Sequence, residues 1–111
     1  MNEEELRRVL EKLRTDYVAQ LPGTVAEMED LWRRILAAEV PLAQLEKLER
    51  MAHSIAGSGT TFGLPEASRA ARELEFFLDR FADGGQLPGA EDQQRISALL
   101  AALGQTAARQ E

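Results

Sequence analysis

The sequence contains no cysteine and only one histidine, His53, among its 111 residues. The lack of cysteine excludes disulfide bonds, thiol catalysis and cysteine-ligated zinc sites. A lone histidine also makes a zinc site unexpected, because such a site needs several ligands of the right type and spacing. We therefore expect no metal and no other cofactor on this chain.

Basic residues are outnumbered, with 13 Lys and Arg against 19 Asp and Glu and a formal net charge of −6. A nucleic-acid partner is not expected, because binding to phosphate backbones depends on a cationic face. Membrane insertion is not expected either, since no apolar run approaches the roughly 18 residues of a spanning helix. The charged start MNEEELRR is unlike a signal peptide. These features together predict a cytoplasmic protein.

Apolar residues recur with helical spacing along the chain, which predicts an all-α protein with one domain over 1–111. The pattern predicts five helices, at about 3–20, 24–38, 42–62, 65–82 and 91–108. We place the first break at QLPG, because Pro22 interrupts the pattern and Thr24 with Glu27 resembles a capping box. The tail 105–111 has no anchoring residue and is expected to fray or to begin a linker.

The short connections favour an antiparallel up-and-down four-helix bundle made by the last four helices. The first helix is then an additional N-terminal helix, packed across one end or side. A complete bundle of this kind favours a monomer.

His53 is predicted to be exposed, because it lies about 130° from the centre of the apolar stripe of its helix. Gly57, one turn later, lies on the same side, as do Glu46 and Arg50 on the preceding turns. A glycine inside a helix costs about 1 kcal/mol relative to alanine, but a bare position beside an imidazole lets a second protein approach the ring. His53 is thus either an ordinary surface residue or a nucleophile toward phosphorus.

A hydrolytic triad is not expected. Ser54 and Ser58 are the nearest hydroxyls in sequence, and neither lies on the His53 face of the helix. No glycine-rich phosphate loop with a P-loop lysine is present, so we expect no nucleotide site and no enzyme activity that depends on one.

The segment AHSIAGSGTTFG resembles the signature of histidine-containing phosphotransfer (HPt) domains, especially the phosphotransfer domain of chemotaxis-type kinases. The matching positions are His53, Ile55, Gly57, Ser58, Gly59, Phe62 and Gly63. The resemblance implies a four-helix bundle whose His53 accepts a phosphoryl group on Nε2 from a receiver aspartate or a histidine kinase. It also implies transfer to a receiver domain, which would carry the Mg²⁺ itself.

The resemblance implies roles for further residues. Glu75 aligns with a glutamate that binds the other ring nitrogen in the chemotaxis kinases. Many family members have lysine three residues after the histidine, where this chain has Ala56. Arg50 or Arg72 could supply the missing positive charge to a phosphate.

We expect Glu46, Ala56 and Gly57 to line the receiver-docking surface. The alternative function is a regulatory or structural bundle that docks a signalling partner without accepting phosphate. The sequence identifies neither donor nor acceptor, and it leaves open whether the chain is free-standing or a module of a hybrid kinase or response regulator.

Overall fold

The computed structural model of the protein describes residues 1–81 and 85–109. Within these ranges the chain forms four helices and no strand: α1 (Glu3–Leu36), α2 (Gln44–Thr61), α3 (Pro65–Leu78) and α4 (Ala90–Ala108). Each helix packs against two others, in the ring order α1, α2, α3, α4. The prediction of an all-helical bundle is confirmed.

Contacts between the helices show that neighbours in the ring run antiparallel. Trp32 of α1 donates a hydrogen bond from Nε1 to Ser97 Oγ at 2.9 Å. Earlier in α1, Val25 faces Gly104, which is later in α4. At the other end, Tyr17 stacks on Phe62, just after α2, with 4.9 Å between ring centroids. The bundle therefore has up-and-down topology.

The predicted break at QLPG is wrong, because α1 continues as one helix of 34 residues through Pro22. A proline inside a helix removes one backbone hydrogen bond and costs about 3 kcal/mol. The apolar stripe nevertheless stays in phase across it, and Leu21, Val25 and Met28 are all buried. Core packing on both sides of the proline thus offsets its cost. Thr24 forms no cap, and its hydroxyl donates to the Gln20 carbonyl inside the helix.

The additional N-terminal helix is thus the first half of α1, and it does not pack across the bundle. Leu6, Val9, Leu10 and Leu13 stay exposed, and Tyr17 is the first residue of α1 that is half-buried. Arg14 secures the base of this projection by donating from Nε to the Phe62 carbonyl at 3.1 Å. The molecule is accordingly elongated, with a longest dimension of 52 Å.

The other helix ends differ from the predicted ones by a few residues. Pro41 lies in a turn before α2, where its carbonyl accepts from the Gln44 amide at 3.0 Å. The predicted end of the fourth segment, residue 82, lies outside the described residues, as do positions 110 and 111 of the tail. The earlier part of the tail belongs to α4, where Thr106 and Ala107 are buried.

Helices α2 and α3 approach closely at Gly59. A Cβ added to Gly59 would lie 3.0 Å from Ser68 Cβ and 3.1 Å from the Ser68 backbone nitrogen. The Ser68 hydroxyl donates to the Ala56 carbonyl at 2.7 Å across the same contact. Glycine at position 59 therefore fixes the spacing of the two helices. No helix in the described ranges is both long enough and apolar enough to cross a membrane.

We predict opposite effects for alanine at the two neighbouring glycines of α2. Gly57→Ala should raise the free energy of unfolding by up to about 1 kcal/mol, because alanine is the better helix former. Its new methyl group meets open space among the described residues. Gly59→Ala should lower the free energy of unfolding by about 1–3 kcal/mol through overpacking against Ser68. Urea denaturation of both variants tests this, and equal stabilisation by both changes would contradict the close approach.

Candidate functional site

His53 lies in the middle of α2 on an exposed face, and its side chain is 76% accessible to solvent. The helical wheel predicts this position correctly. Gly57, one turn later, is also exposed, and among the described residues nothing lies within 4 Å of the place a Cβ would take. The imidazole thus stands beside a stretch of bare backbone that another protein can approach.

Glu75 of α3 reaches across to the ring, with 2.5 Å between His53 Nδ1 and Glu75 Oε2. A carboxylate only accepts hydrogen bonds, so Nδ1 carries the proton and donates it. The other nitrogen, Nε2, then keeps its lone pair on a largely exposed ring. The contact therefore selects the tautomer in which Nε2 is the nucleophilic atom.

The two candidate arginines lie on either side of this pair. Arg50 bonds Glu46 on its own helix at 3.0 Å, and both side chains are exposed. Arg72 donates from Nη2 to Ser68 Oγ at 3.3 Å. In the described part of the chain neither guanidinium is hydrogen-bonded to His53, so their roles toward a phosphate stay predictions.

Ala56 does not lie on the exposed face, which corrects its placement on the docking surface. Only 5% of the residue is accessible. The cause is the close contact at Gly59, which brings α3 over this flank of α2. A wheel drawn for α2 alone does not show how far α3 covers it.

Two acidic residues that the sequence reasoning missed lie next to the histidine and glutamate. Burial raises the pKa of the Glu49 carboxyl above its ordinary value, and the negative charges of Asp79, Glu75 and Glu46 raise it further. Glu49 precedes His53 by four residues, and Asp79 follows Glu75 by four. The four-residue spacing places Glu49 on the same helix face as His53, and Asp79 on the same face as Glu75. This spacing was the feature of the sequence from which both acids could have been assigned to the site.

Phe76 is a further residue of the site, and it is 75% exposed. It lines a shallow depression of about 290 Å³ together with Arg72, Glu75 and Asp79. In the sequence, Phe76 lies outside the apolar stripe of α3, and this position was the feature that indicated an exposed ring. The His53–Glu75 pair is therefore bordered by bare backbone at Gly57 on α2 and by the exposed ring of Phe76 on α3.

The described residues contain no group of three or more His, Cys, Asp or Glu side chains placed to hold a metal ion. The site instead offers one exposed imidazole nitrogen and a carboxylate that fixes the ring. This arrangement suits a covalent carrier on nitrogen, whose reaction partner supplies the remaining catalytic groups.

Comparison with protein families agrees with this chemistry, since the family model described as Hpt domain matches residues 4–107. The chain belongs to the Hpt domain family. Hpt domains take part in histidine phosphotransfer in two-component phosphorelays, and they are phosphocarriers that lack a nucleotide-binding active site. No curated protein and no solved structure gave a significant match to the chain.

We predict that Glu49→Gln stabilises this Hpt domain more as the pH rises. Because the folded-state pKa of Glu49 is raised, the favourable neutral form is present at low pH and is lost as the pH rises through that pKa. Glutamine stays neutral throughout, so the variant should equal the wild type near pH 4 and exceed it at pH 7–8. Thermal unfolding across this range measures the difference.

Glu73→Gln, at an exposed position of α3, is the matched control for the loss of one negative charge from this helix. A constant difference between Glu49→Gln and the wild type at every pH would contradict the raised pKa.

Proposed function

We propose that this Hpt domain carries a phosphoryl group on Nε2 of His53. It receives the group from a receiver aspartate or a histidine kinase and passes it to a receiver aspartate. The observation that carries the proposal is the Nδ1 contact of an exposed imidazole with Glu75, because it leaves the second nitrogen as an available nucleophile.

His53 would take the phosphoryl group from an aspartyl phosphate by nucleophilic substitution at phosphorus. The Nε2 lone pair of His53 attacks phosphorus, the N–P bond forms, and the P–O bond of the acyl phosphate breaks. The receiver aspartate leaves with that electron pair as a carboxylate. The ring then carries a positive charge, with its proton still on Nδ1, and the Glu75 carboxylate stabilises this charge. Return to a receiver reverses these steps.

The receiver would dock on the surface around Gly57, Glu46 and Phe76. An exposed aromatic ring is a typical anchor of a protein interface, and Gly57 allows the partner backbone to approach the imidazole. Mg²⁺ is expected on the receiver, and the location is expected to be cytoplasmic. We assign Arg72 and Arg50 to phosphate support, since Ala56 replaces the lysine common in the family.

We expect the wild-type protein to form an acid-labile phosphohistidine when it is incubated with phosphoramidate or with a phosphorylated receiver domain. His53→Gln should remain folded and take up no label, because the chain has no second histidine. Phosphorus NMR identifies the modified nitrogen. Equal labelling of His53→Gln, or an unlabelled wild type with every donor, would favour the alternative, a docking bundle that accepts no phosphate.

Glu75→Ala serves as a second arm of this experiment. It should slow labelling by about tenfold, the effect of losing a screened charge-assisted hydrogen bond. Nitrogen NMR should also show the ring proton moving from Nδ1 toward Nε2, a change that a purely structural role for Glu75 would not produce.

If a receiver docks beside Gly57, Gly57→Glu should impair transfer from the receiver but not labelling by a small donor. The new side chain has space in the described structure, so folding and labelling by the small donor phosphoramidate should be preserved. Transfer from a receiver should fall by well over tenfold, because the side chain blocks close approach. Gly57→Ala is the control and should transfer nearly normally. Equal transfer from the receiver by Gly57→Glu and the wild type would place the docking surface elsewhere.

A further inference from the structure

The Ser68 hydroxyl connects the contact between α2 and α3 to an exposed arginine. Ser68 itself is buried, with only 3% of the residue accessible. Its Oγ donates to the Ala56 carbonyl at 2.7 Å, and Thr60 Oγ1 lies 2.9 Å from the same Oγ. Arg72, one turn later on α3, donates to this oxygen from Nη2 at 3.3 Å. A buried group of the core contact is thus bonded to a guanidinium at the surface.

The bonds of the Ser68 hydroxyl fix the position of its oxygen. A hydroxyl has one proton to donate and two lone pairs that accept. The proton lies in the short bond to the Ala56 carbonyl, so the lone pairs receive Thr60 and Arg72. The full capacity of the hydroxyl is therefore used, and a backbone atom of α2 sets its direction. Arg72 donates to an oxygen that cannot turn away without losing a buried hydrogen bond.

The same bonds place Arg72 beside the His53–Glu75 pair on both helices. Arg72 precedes Glu75 by three residues on α3, so the two are neighbours on the helix surface. They also line one shallow depression. On α2, Ala56 follows His53 by three residues, and its carbonyl accepts the Ser68 hydroxyl that holds Arg72. The guanidinium therefore lies one helical turn from each member of the pair.

A phosphoryl group on His53 would need a positive charge at this place. The group brings nearly two negative charges, and Glu75, which bonds the ring, lines the depression together with Asp79. Ala56, on the flank of α2 that faces Ser68, carries no charge that could offset them. The positive charge must come from another position of the bundle.

The two candidate arginines differ in what already holds them. Arg50 is bonded to the Glu46 carboxylate at 3.0 Å, so its charge is largely offset before any phosphate arrives. Arg72 is held by a neutral hydroxyl, and in the described part of the chain it forms no ion pair. A guanidinium has five N–H donors, and the bond to Ser68 uses one of them. Arg72 therefore keeps both its charge and free donors for phosphate oxygens.

We propose that Ser68 is a positioning residue of this site, which holds Arg72 where its guanidinium binds the phosphoryl oxygens on His53. The inference rests on the proposed function, since it concerns the phosphorylated state of His53. It assigns the main phosphate-binding cation to α3, and it gives the buried serine a role beyond the packing of two helices.

Phosphorus NMR of the protein labelled with phosphoramidate tests the position of Arg72. A guanidinium bonded to the phosphoryl group favours its doubly ionised form and so lowers the pKa of that group. Arg72→Gln should therefore raise the midpoint of its titration by about half a pH unit or more. Arg50→Gln should raise it less. Arg69→Gln, which removes a charge from an exposed position of the same helix, is the matched control and should leave the midpoint nearly unchanged.

A double-mutant cycle tests the role of Ser68. Ser68→Ala keeps the Cβ and backbone atoms that face Gly59, so the spacing of the helices should be preserved. Alone, it should raise the midpoint in the same direction as Arg72→Gln but by less. Combined with Arg72→Gln, it should add nothing, because the side chain that it positions is gone. A purely structural role of Ser68 would act equally in both backgrounds.

The bond between Ser68 and Arg72 can also be measured without a phosphoryl group. Nitrogen NMR relaxation of the unphosphorylated protein reports the motion of each arginine side chain. Ser68→Ala should increase the motion of the Arg72 guanidinium and leave that of Arg69 unchanged.

The outcomes separate this inference from the proposed function. Equal midpoints for the labelled wild type and Arg72→Gln would overturn the inference alone, because His53 would still carry the label. Equal effects of Ser68→Ala with and without Arg72 would overturn it too, as would a larger shift in Arg50→Gln than in Arg72→Gln. A wild type that neither phosphoramidate nor a phosphorylated receiver labels would overturn the proposed function and this inference with it.

Discussion

The close approach of α2 and α3 at Gly59 and Ser68 is the constraint on which the site depends. It fixes both the distance and the register of two antiparallel helices. His53 precedes Gly59 by six residues and Glu75 follows Ser68 by seven, so both lie about 10 Å along the axis from the contact. A larger residue at position 59 would separate the helices and remove the carboxylate from the ring. Packing in the core thus determines which imidazole nitrogen is free.

In the function that we propose, the charge around His53 favours transfer of a phosphoryl group over its storage. Glu75, Glu49, Asp79 and Glu46 form an acidic surrounding, in which burial first and then repulsion by the other three carboxylates raise the pKa of Glu49. A phosphoryl group adds nearly two negative charges to this surface. Glu75 offsets part of that repulsion through the ring cation, while the other acids maintain it. In the function that we propose, this repulsion would keep the phosphorylated state high in free energy, as an intermediate between two aspartyl phosphates needs to be.

The sequence was sufficient for features that depend on one helix at a time. The exposure of His53 and the bare position at Gly57 followed from helical periodicity alone. Among the features that depend on neighbouring helices, the contact between Glu75 and His53 was expected only from the family resemblance, and two others were missed. Pro22 stays inside α1 because buried residues on both sides hold the helix together, and Ala56 is covered because α3 approaches closely at Gly59. Local propensity gives way to tertiary packing in both cases, and no rule applied to a single segment contains that information.

The unbroken α1 also connects two surfaces of the molecule. Tyr17 stacks on Phe62 at the base of the bundle, and His53 lies nine residues before Phe62, or about 14 Å along the axis. The exposed apolar residues Leu6, Val9, Leu10 and Leu13 lie on the far side of Tyr17. A receiver docked near Gly57 and Phe76, as we propose, would therefore leave them uncovered. A helix broken at Pro22 would lose the rigid connection between these two surfaces.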